Sequence, residues 1–169
     1  MSEKSNLRPV TFADAALTLG WRNQTRVRNF MFNTALVHLA DHEVWLERVI
    51  DDPHLCYFVF EENDVPIGLV GLIFRDRASG EAEWSFYRGV RSAKKGAGLR
   101  MLQLALDRFF CELGGKLLRA EVLEDNIASK NLHEKLGFQM VEHANRTVMH
   151  RSEQKQVFQY TLDVLTWQA

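Results

Sequence analysis

The segment Arg91-Ser92-Ala93-Lys94-Lys95-Gly96-Ala97-Gly98-Leu99-Arg100 has the residue types of an anion site. Two glycines let backbone amides approach a ligand closely. A helix predicted to start here adds unpaired N–H groups and the positive end of its dipole. Arg91, Lys94, Lys95 and Arg100 add full charges, so the segment predicts a phosphate or pyrophosphate cradle. It matches neither the P-loop spacing nor the three-glycine dinucleotide fingerprint. Two carboxylates on predicted strands, Glu83 and Glu121, are candidate general bases. A strand-edge salt bridge is the alternative reading for each. Ser129 and His133 lie four residues apart and share a helix face, which makes them candidate proton donors. Cys56 and Cys111 have no metal-ligand spacing and no CxxC, and no metal site is expected. Both sit among apolar residues and are expected to be buried free thiols in a reducing, cytoplasmic setting.

These groups need a frame. The chain has 169 residues, 46% of them hydrophobic and 25% charged, which suits one domain over residues 1–169 with one core. A net charge of −1 gives no global pull toward nucleic acid or an anionic membrane. The longest apolar stretch, Pro66 to Phe74, is too short to span a bilayer, and the polar start from Met1 to Asn6 is no signal peptide. Leu7 to Thr11 reads as a strand, and Asp14 to Met31 as helical. A helix starts at Asp41. Cys56–Glu61, Pro66–Arg75 and Ala82–Gly89 read as strands joined by turns at Asn63-Asp64 and Arg77–Gly80. Leu99, Leu102, Leu106, Phe109 and Leu113 recur at helical spacing until Gly114-Gly115 stops them. Leu117–Leu123 is a strand, a short helix runs from Asn126 to Gly137, and two strands follow near 139–151 and 156–163. This order predicts an α/β (α+β) fold: a mixed, mostly antiparallel twisted sheet of six to seven strands with about four helices.

At two places the residues resemble the GNAT acyltransferase superfamily. Ala93-Lys94-Lys95-Gly96-Ala97-Gly98 resembles its acyl-CoA loop, Gln/Arg-x-x-Gly-x-Gly/Ala, with Ala93 departing from the expected Gln or Arg. Asn126-Ile127-Ala128-Ser129-Lys130-Asn131-Leu132-His133-Glu134-Lys135-Leu136-Gly137-Phe138 is similar to its Asn-x-x-Ala/Ser-x-x-Leu/Val-x-Glu-Lys-x-Gly-Phe segment. The resemblance implies acetyl-CoA as cosubstrate and direct attack of a neutral amine on its thioester. It implies that Tyr87, Gly89, Val90, Lys94, Lys95, Gly96, Ala97, Gly98, Leu99, Arg100 and Asn126 hold the cofactor. Backbone amides near Tyr87 to Val90 would face the thioester oxygen. Many relatives carry Tyr where this chain has His133, so Ser129 is preferred as proton donor and His133 comes second.

The N-terminal third points to the acceptor. Trp21-Arg22-Asn23, Val27-Arg28-Asn29-Phe30-Met31-Phe32-Asn33 and Asp41-His42 resemble the opening of the sugar-nucleotide N-acetyltransferases of pseudaminic acid biosynthesis. Trp21, Met31, Phe32 and Tyr87 would then carry the base and sugar ring, and Arg22 and Arg28 the diphosphate. The bland reading makes Trp21, Phe30 and Met31 the core face of the first helices. A small-molecule amine, most simply a sugar nucleotide, is the expected partner, and a homodimer is compatible with it. The alternatives are a ribosomal-protein or peptide N-terminal acetyltransferase, and a non-catalytic acyl-CoA-binding domain.

Overall fold

The computed structural model describes residues 4–168. Among them the order is β1 (Ser5–Pro9), α1 (Ala15–Arg22), α2 (Thr25–Arg28), α3 (Leu39–Asp51), β2 (Leu55–Glu62), β3 (Val65–Asp76), β4 (Glu81–Arg88), α4 (Ala97–Asp107), β5 (Leu117–Leu123), α5 (Ile127–Lys135), β6 (Gln139–Met140), β7 (Arg146–His150), β8 (Glu153–Asp163) and α6 (Val164–Gln168), with short 3-10 and π turns between. The strands form a mixed sheet ordered β1-β2-β3-β4-β5-β8-β6, with β7 also on β8. The expected α/β fold is what forms.

Local chemistry places the turns. Asn63 and Asp64 both take positive φ (51° and 62°), the geometry of a tight hairpin that matches strand twist. Arg151 and Ser152 repeat it at 52° and 65° between β7 and β8. The chain near 139–151, expected as one strand, is broken by a 3-10 turn at Glu142–Ala144. The predicted long helix closes with a π-helical turn at Arg108–Glu112, where Gly115 lies flat against the Phe109 ring. That turn leaves Cys111 exposed, and Cys56 is half-buried, which corrects the expectation of two buried thiols.

The sheet is covered on both faces. Met101, Leu102 and Leu106 of α4, with Phe109 of the π turn that follows it, pack on Val70, Leu72, Phe74 and Trp84. On the opposite face Trp21, Leu46 and Val49 pack on Val59 and Leu69. Burial of so many large apolar side chains is the main drive to this arrangement, at about 1.5–3 kcal/mol each.

One pairing matters most for function. β4 and β5 are parallel neighbours and pair only through Glu81, Ala82 and Glu83 with Leu117, Leu118 and Arg119. β3 stays paired with β4 up to Arg88, and β8 stays paired with β5 up to Leu123. The two middle strands therefore part company beyond Glu83, and the sheet opens into a V.

Candidate active site

A cavity of about 600 Å³ occupies the V. Side chains alternate along β4, so Glu83, Ser85 and Tyr87 lie on the face covered by α1 to α3, and Trp84 and Phe86 on the face of α4 and α5. All five line the cavity, together with Ser129 and His133 on one side and Phe30, Met31 and Phe32 on the other. The cavity thus passes through the sheet and gives two reactants separate approaches to one point.

The open edge of β4 faces it. Gly89 N–H donates to the Ile67 carbonyl at 2.8 Å. In an antiparallel pair the inward and outward residues alternate. The N–H groups of Phe86 and Arg88 therefore point the other way, toward the edge that β5 has vacated. The Arg88 carbonyl agrees with this phase, because Arg26 Nη1 reaches it from outside at 2.9 Å. The expectation for Gly89 and Val90 needs correcting here. Both amides are already given to the Ile67 carbonyl, Val90 at 3.0 Å, and the Gly89 carbonyl accepts from Gln24 Nε2 and Arg26 Nη2. The donors left for a ligand are Arg88, inside the expected stretch from Tyr87 to Val90, and Phe86, one residue before it.

At one end of the V stands the start of α4. Gly96 is its N-cap at φ 88°, a left-handed conformation that suits glycine. Ala97 N–H donates back to Lys94 O at 3.1 Å and Arg100 N–H to Gly96 O at 3.0 Å. Between them, among the described residues, the amides of Gly98 and Leu99 have no backbone acceptor outside the helix, as a helix start provides. Gly98 lines the cavity, Ala97 is fully buried and Leu99 packs on the core. Lys94 and Lys95 are exposed beside this turn. Arg100 points elsewhere: its Nε meets Glu62 Oε1 at 2.7 Å and its Nη1 meets Lys95 O at 3.3 Å. Its side chain braces the loop against β2.

Asn126 caps α5, its Oδ1 accepting from Ser129 N–H at 3.2 Å. It too lines the cavity. His133 is 1% exposed. The Trp84 indole N–H donates to its Nε2 at 3.0 Å, and its Nδ1 lies 2.7 Å from the Ser129 carbonyl and 3.3 Å from Ser129 Oγ. Burial lowers its pKa from 6.5 to about 4, opposed in part by the bond to Ser129. Both ring nitrogens are engaged, so the ring is held neutral rather than poised to give up a proton.

That shift has a consequence for stability. The unfolded chain binds more protons than the folded one between about pH 6.5 and 4, so the contribution of His133 is present above that window and is lost as pH falls through it. Unfolding free energy measured in urea will drop from pH 7 to pH 4.5, and His133→Gln will flatten the drop. An equally steep profile in the variant would place the titration elsewhere.

The two carboxylates differ. Glu121 is held by Arg146 through two bonds of 3.0 and 2.8 Å and by Gln159 Nε2 at 2.6 Å. Arg146 keeps its carboxyl below the usual range. Among the described residues Glu83 has one hydrogen-bond partner, Arg75 at 3.2 Å, and its side chain is half exposed. Arg146 also lies over the Phe32 ring, 5.1 Å from its centre.

The expected acceptor residues divide. Met31 and Phe32 line the cavity. Tyr87 lines it too, but burial pushes its phenol up and its hydroxyl is bonded to Thr18 O at 3.3 Å. Trp21 does not line it: it is 5% exposed and lies directly beneath Gly89. Arg22 and Arg28 reach backbone carbonyls of the following loop, Asn33 O and Thr34 O, at 2.5 and 2.9 Å. They hold that loop in place.

A family model described as an acetyltransferase (GNAT) domain matches residues 5–139, and the chain belongs to this family. It is an acetyl-CoA-dependent N-acetyltransferase by class. No curated protein matches it. Among solved structures it is similar to spermidine N-acetyltransferase from Vibrio cholerae, in complex with CoA and spermine, at 20% identity and TM-score 0.89 over 98% of each chain. A Salmonella typhimurium protein, yncA, with its cofactor acetyl-CoA, is similar at 22% identity and TM-score 0.74 over 95% of this chain and 94% of that one. An aminoglycoside acetyltransferase in complex with coenzyme A is similar at 16% identity and TM-score 0.76 over 98% of both. At these identities the likeness is one of fold.

Proposed function

We propose that this chain acetylates the amino group of a nucleotide-linked amino sugar in the cavity that pierces its sheet. The observation that carries the acetyl-transfer part is the V between β4 and β5, which places an open strand edge and a glycine-led helix start on one cavity. These features fit acetyl-CoA. The Gly98 and Leu99 amides and the dipole of α4 suit a pyrophosphate, Phe86 and Arg88 offer backbone pairing to an amide-bearing arm, and Asn126 stands opposite. When bound, acetyl-CoA supplies the thioester that a neutral amine attacks, forming a C–N bond as the C–S bond breaks. The chain's own groups do the rest. An outward N–H of β4 faces the carbonyl oxygen as it gains charge. Glu83, the less encumbered carboxylate, takes the amine's proton, while Glu121 and Arg146 shape the acceptor end. Ser129 Oγ donates to the departing sulfur, whose ordinary pKa near about 8.5 needs only modest help.

Three features support the sugar-nucleotide acceptor. Phe30 and Phe32 are large apolar side chains left 42% and 51% exposed on the cavity rim, suited to a sugar or base face. Among the described residues, Arg22 Nη1 and Arg28 Nε are buried without a hydrogen-bond partner. Burial weakens the hold of Arg22 on its proton and Arg28 adds repulsion, so an anion beside the pair would relieve both. The polyamine and aminoglycoside acetyltransferases of similar fold leave a polycation as the competing acceptor.

The deciding assay follows CoA-thiol release from acetyl-CoA with UDP-linked 4-amino sugars, spermidine, an aminoglycoside and basic N-terminal peptides. Release with the sugar nucleotides, weakened by Arg28→Ala, is the expected result. Release with spermidine or peptides alone would overturn the acceptor assignment and leave the transferase class intact.

A further inference from the structure

We propose that Trp84 and His133 are positioning residues for Ser129: the indole N–H fixes the imidazole in one neutral tautomer, and the imidazole in turn fixes which way the serine hydroxyl points. The inference rests on the reading of Ser129 as the group that faces the departing sulfur.

The hydrogen-bond inventory forces the tautomer. An indole Nε1–H only donates, so at 3.0 Å from it His133 Nε2 must accept. A neutral imidazole then carries its proton on Nδ1. That N–H donates to the Ser129 carbonyl at 2.7 Å and leans toward Ser129 Oγ at 3.3 Å. Ser129 Oγ is thus offered a donor from the protein side. It accepts there, and its own proton turns outward into the cavity that Ser129 lines. The Ser129 N–H is held as well, by Asn126 Oδ1. The serine is therefore fixed at N–H, at C=O and at the hydroxyl.

The surroundings hold the ring in place. His133 sits among Trp84 and Phe86 of β4, Phe138 after α5, and Tyr160 of β8, which stacks on it with centroids 5.5 Å apart. Tyr160 is the titratable group that faces it, and burial raises that phenol's pKa as well. Among the described residues no charged side chain contributes to the behaviour of His133. A proton on Nε2 would have to displace the indole donor. Histidine at this position is thus a neutral spacer that aims its neighbour through Nδ1–H.

Two readouts test this. The first needs no catalysis: ¹⁵N spectra of histidine-labelled protein, with His133 assigned by its loss in His133→Gln. The expected signal is the Nδ1–H tautomer, neutral from pH 8 down to pH 5. The Nε2–H tautomer, or protonation of His133 above pH 6, would overturn the proposal whether or not the acceptor has been identified. The second uses Trp84→Phe, which keeps an aromatic ring and removes the donor. With unchanged KM for acetyl-CoA, kcat is expected to fall about tenfold, the worth of roughly one hydrogen bond. A kcat identical to that of the unmodified protein would overturn it. If no amine is turned over by any form, the acceptor reading fails, and the tautomer measurement still decides this one.

Discussion

Gly96→Glu is expected to raise the Kd for acetyl-CoA about hundredfold, close to ~3 kcal/mol of lost binding. Two effects combine. Gly96 sits at φ 88°, where a side chain costs about 1–2 kcal/mol of backbone strain. A Cβ there would also come 3.0 Å from Arg100 Nη1, at the far end of a flexible side chain that can yield. The carboxylate itself would stand at the start of α4, where the dipole and the amides of Gly98 and Leu99 are placed for an anion. Calorimetric titration with CoA measures the total. Gly96→Ala separates the parts, since it carries the strain without the charge, and it should lose about tenfold or less. If both variants bind as tightly as the unmodified protein, the phosphate cradle lies elsewhere. If they weaken binding equally, backbone strain is the whole effect and the electrostatic argument fails.

The second large effect is on stability. Gly89→Ala should destabilise the fold by about 3 kcal/mol, the upper range for overpacking a well-filled core. The added Cβ would stand 2.0 Å from Trp21 Cδ2 and 2.3 Å from Cε2, and neither atom can retreat. Trp21 is buried, and Leu46, Val59 and Leu69 share its cluster. Gly89 is pinned by its bond to the Ile67 carbonyl, and Arg26 and Gln24 hold its own carbonyl. Urea denaturation gives the loss directly. Adding Trp21→Leu should restore part of it, because the smaller side chain vacates the space the methyl needs, and contacting residues are expected to be non-additive. A Gly89→Ala protein as stable as its parent would return Trp21 to the acceptor side, where the sequence comparison had put it.

What the sequence determined by itself is local. The glycine with a positive φ before α4, the asparagine that caps α5, the tight turn at Asn63-Asp64 and the amphipathic run from Leu99 all depend on residues within one or two turns of each other. Those two motifs carry the family, and residue types at fixed spacing were enough to read them. Periodicity also put Glu83, Ser85 and Tyr87 on one face of β4. It could not say what that face meets. Trp21 reads as a core residue or as a substrate platform, and the approach of Gly89, 68 positions away, decides for the core. Arg100 reads as a phosphate ligand until Glu62 on β2 is found beside it. His133 reads as a proton donor until Trp84, on a strand 49 residues earlier, occupies its Nε2. Even which amides between Tyr87 and Val90 stay open, Arg88 rather than Gly89 and Val90, follows from bonds to Ile67 on the neighbouring strand. Side-chain roles in this site are set by which donors and acceptors are already taken. Those partners come from distant strands and helices that only the folded sheet brings together.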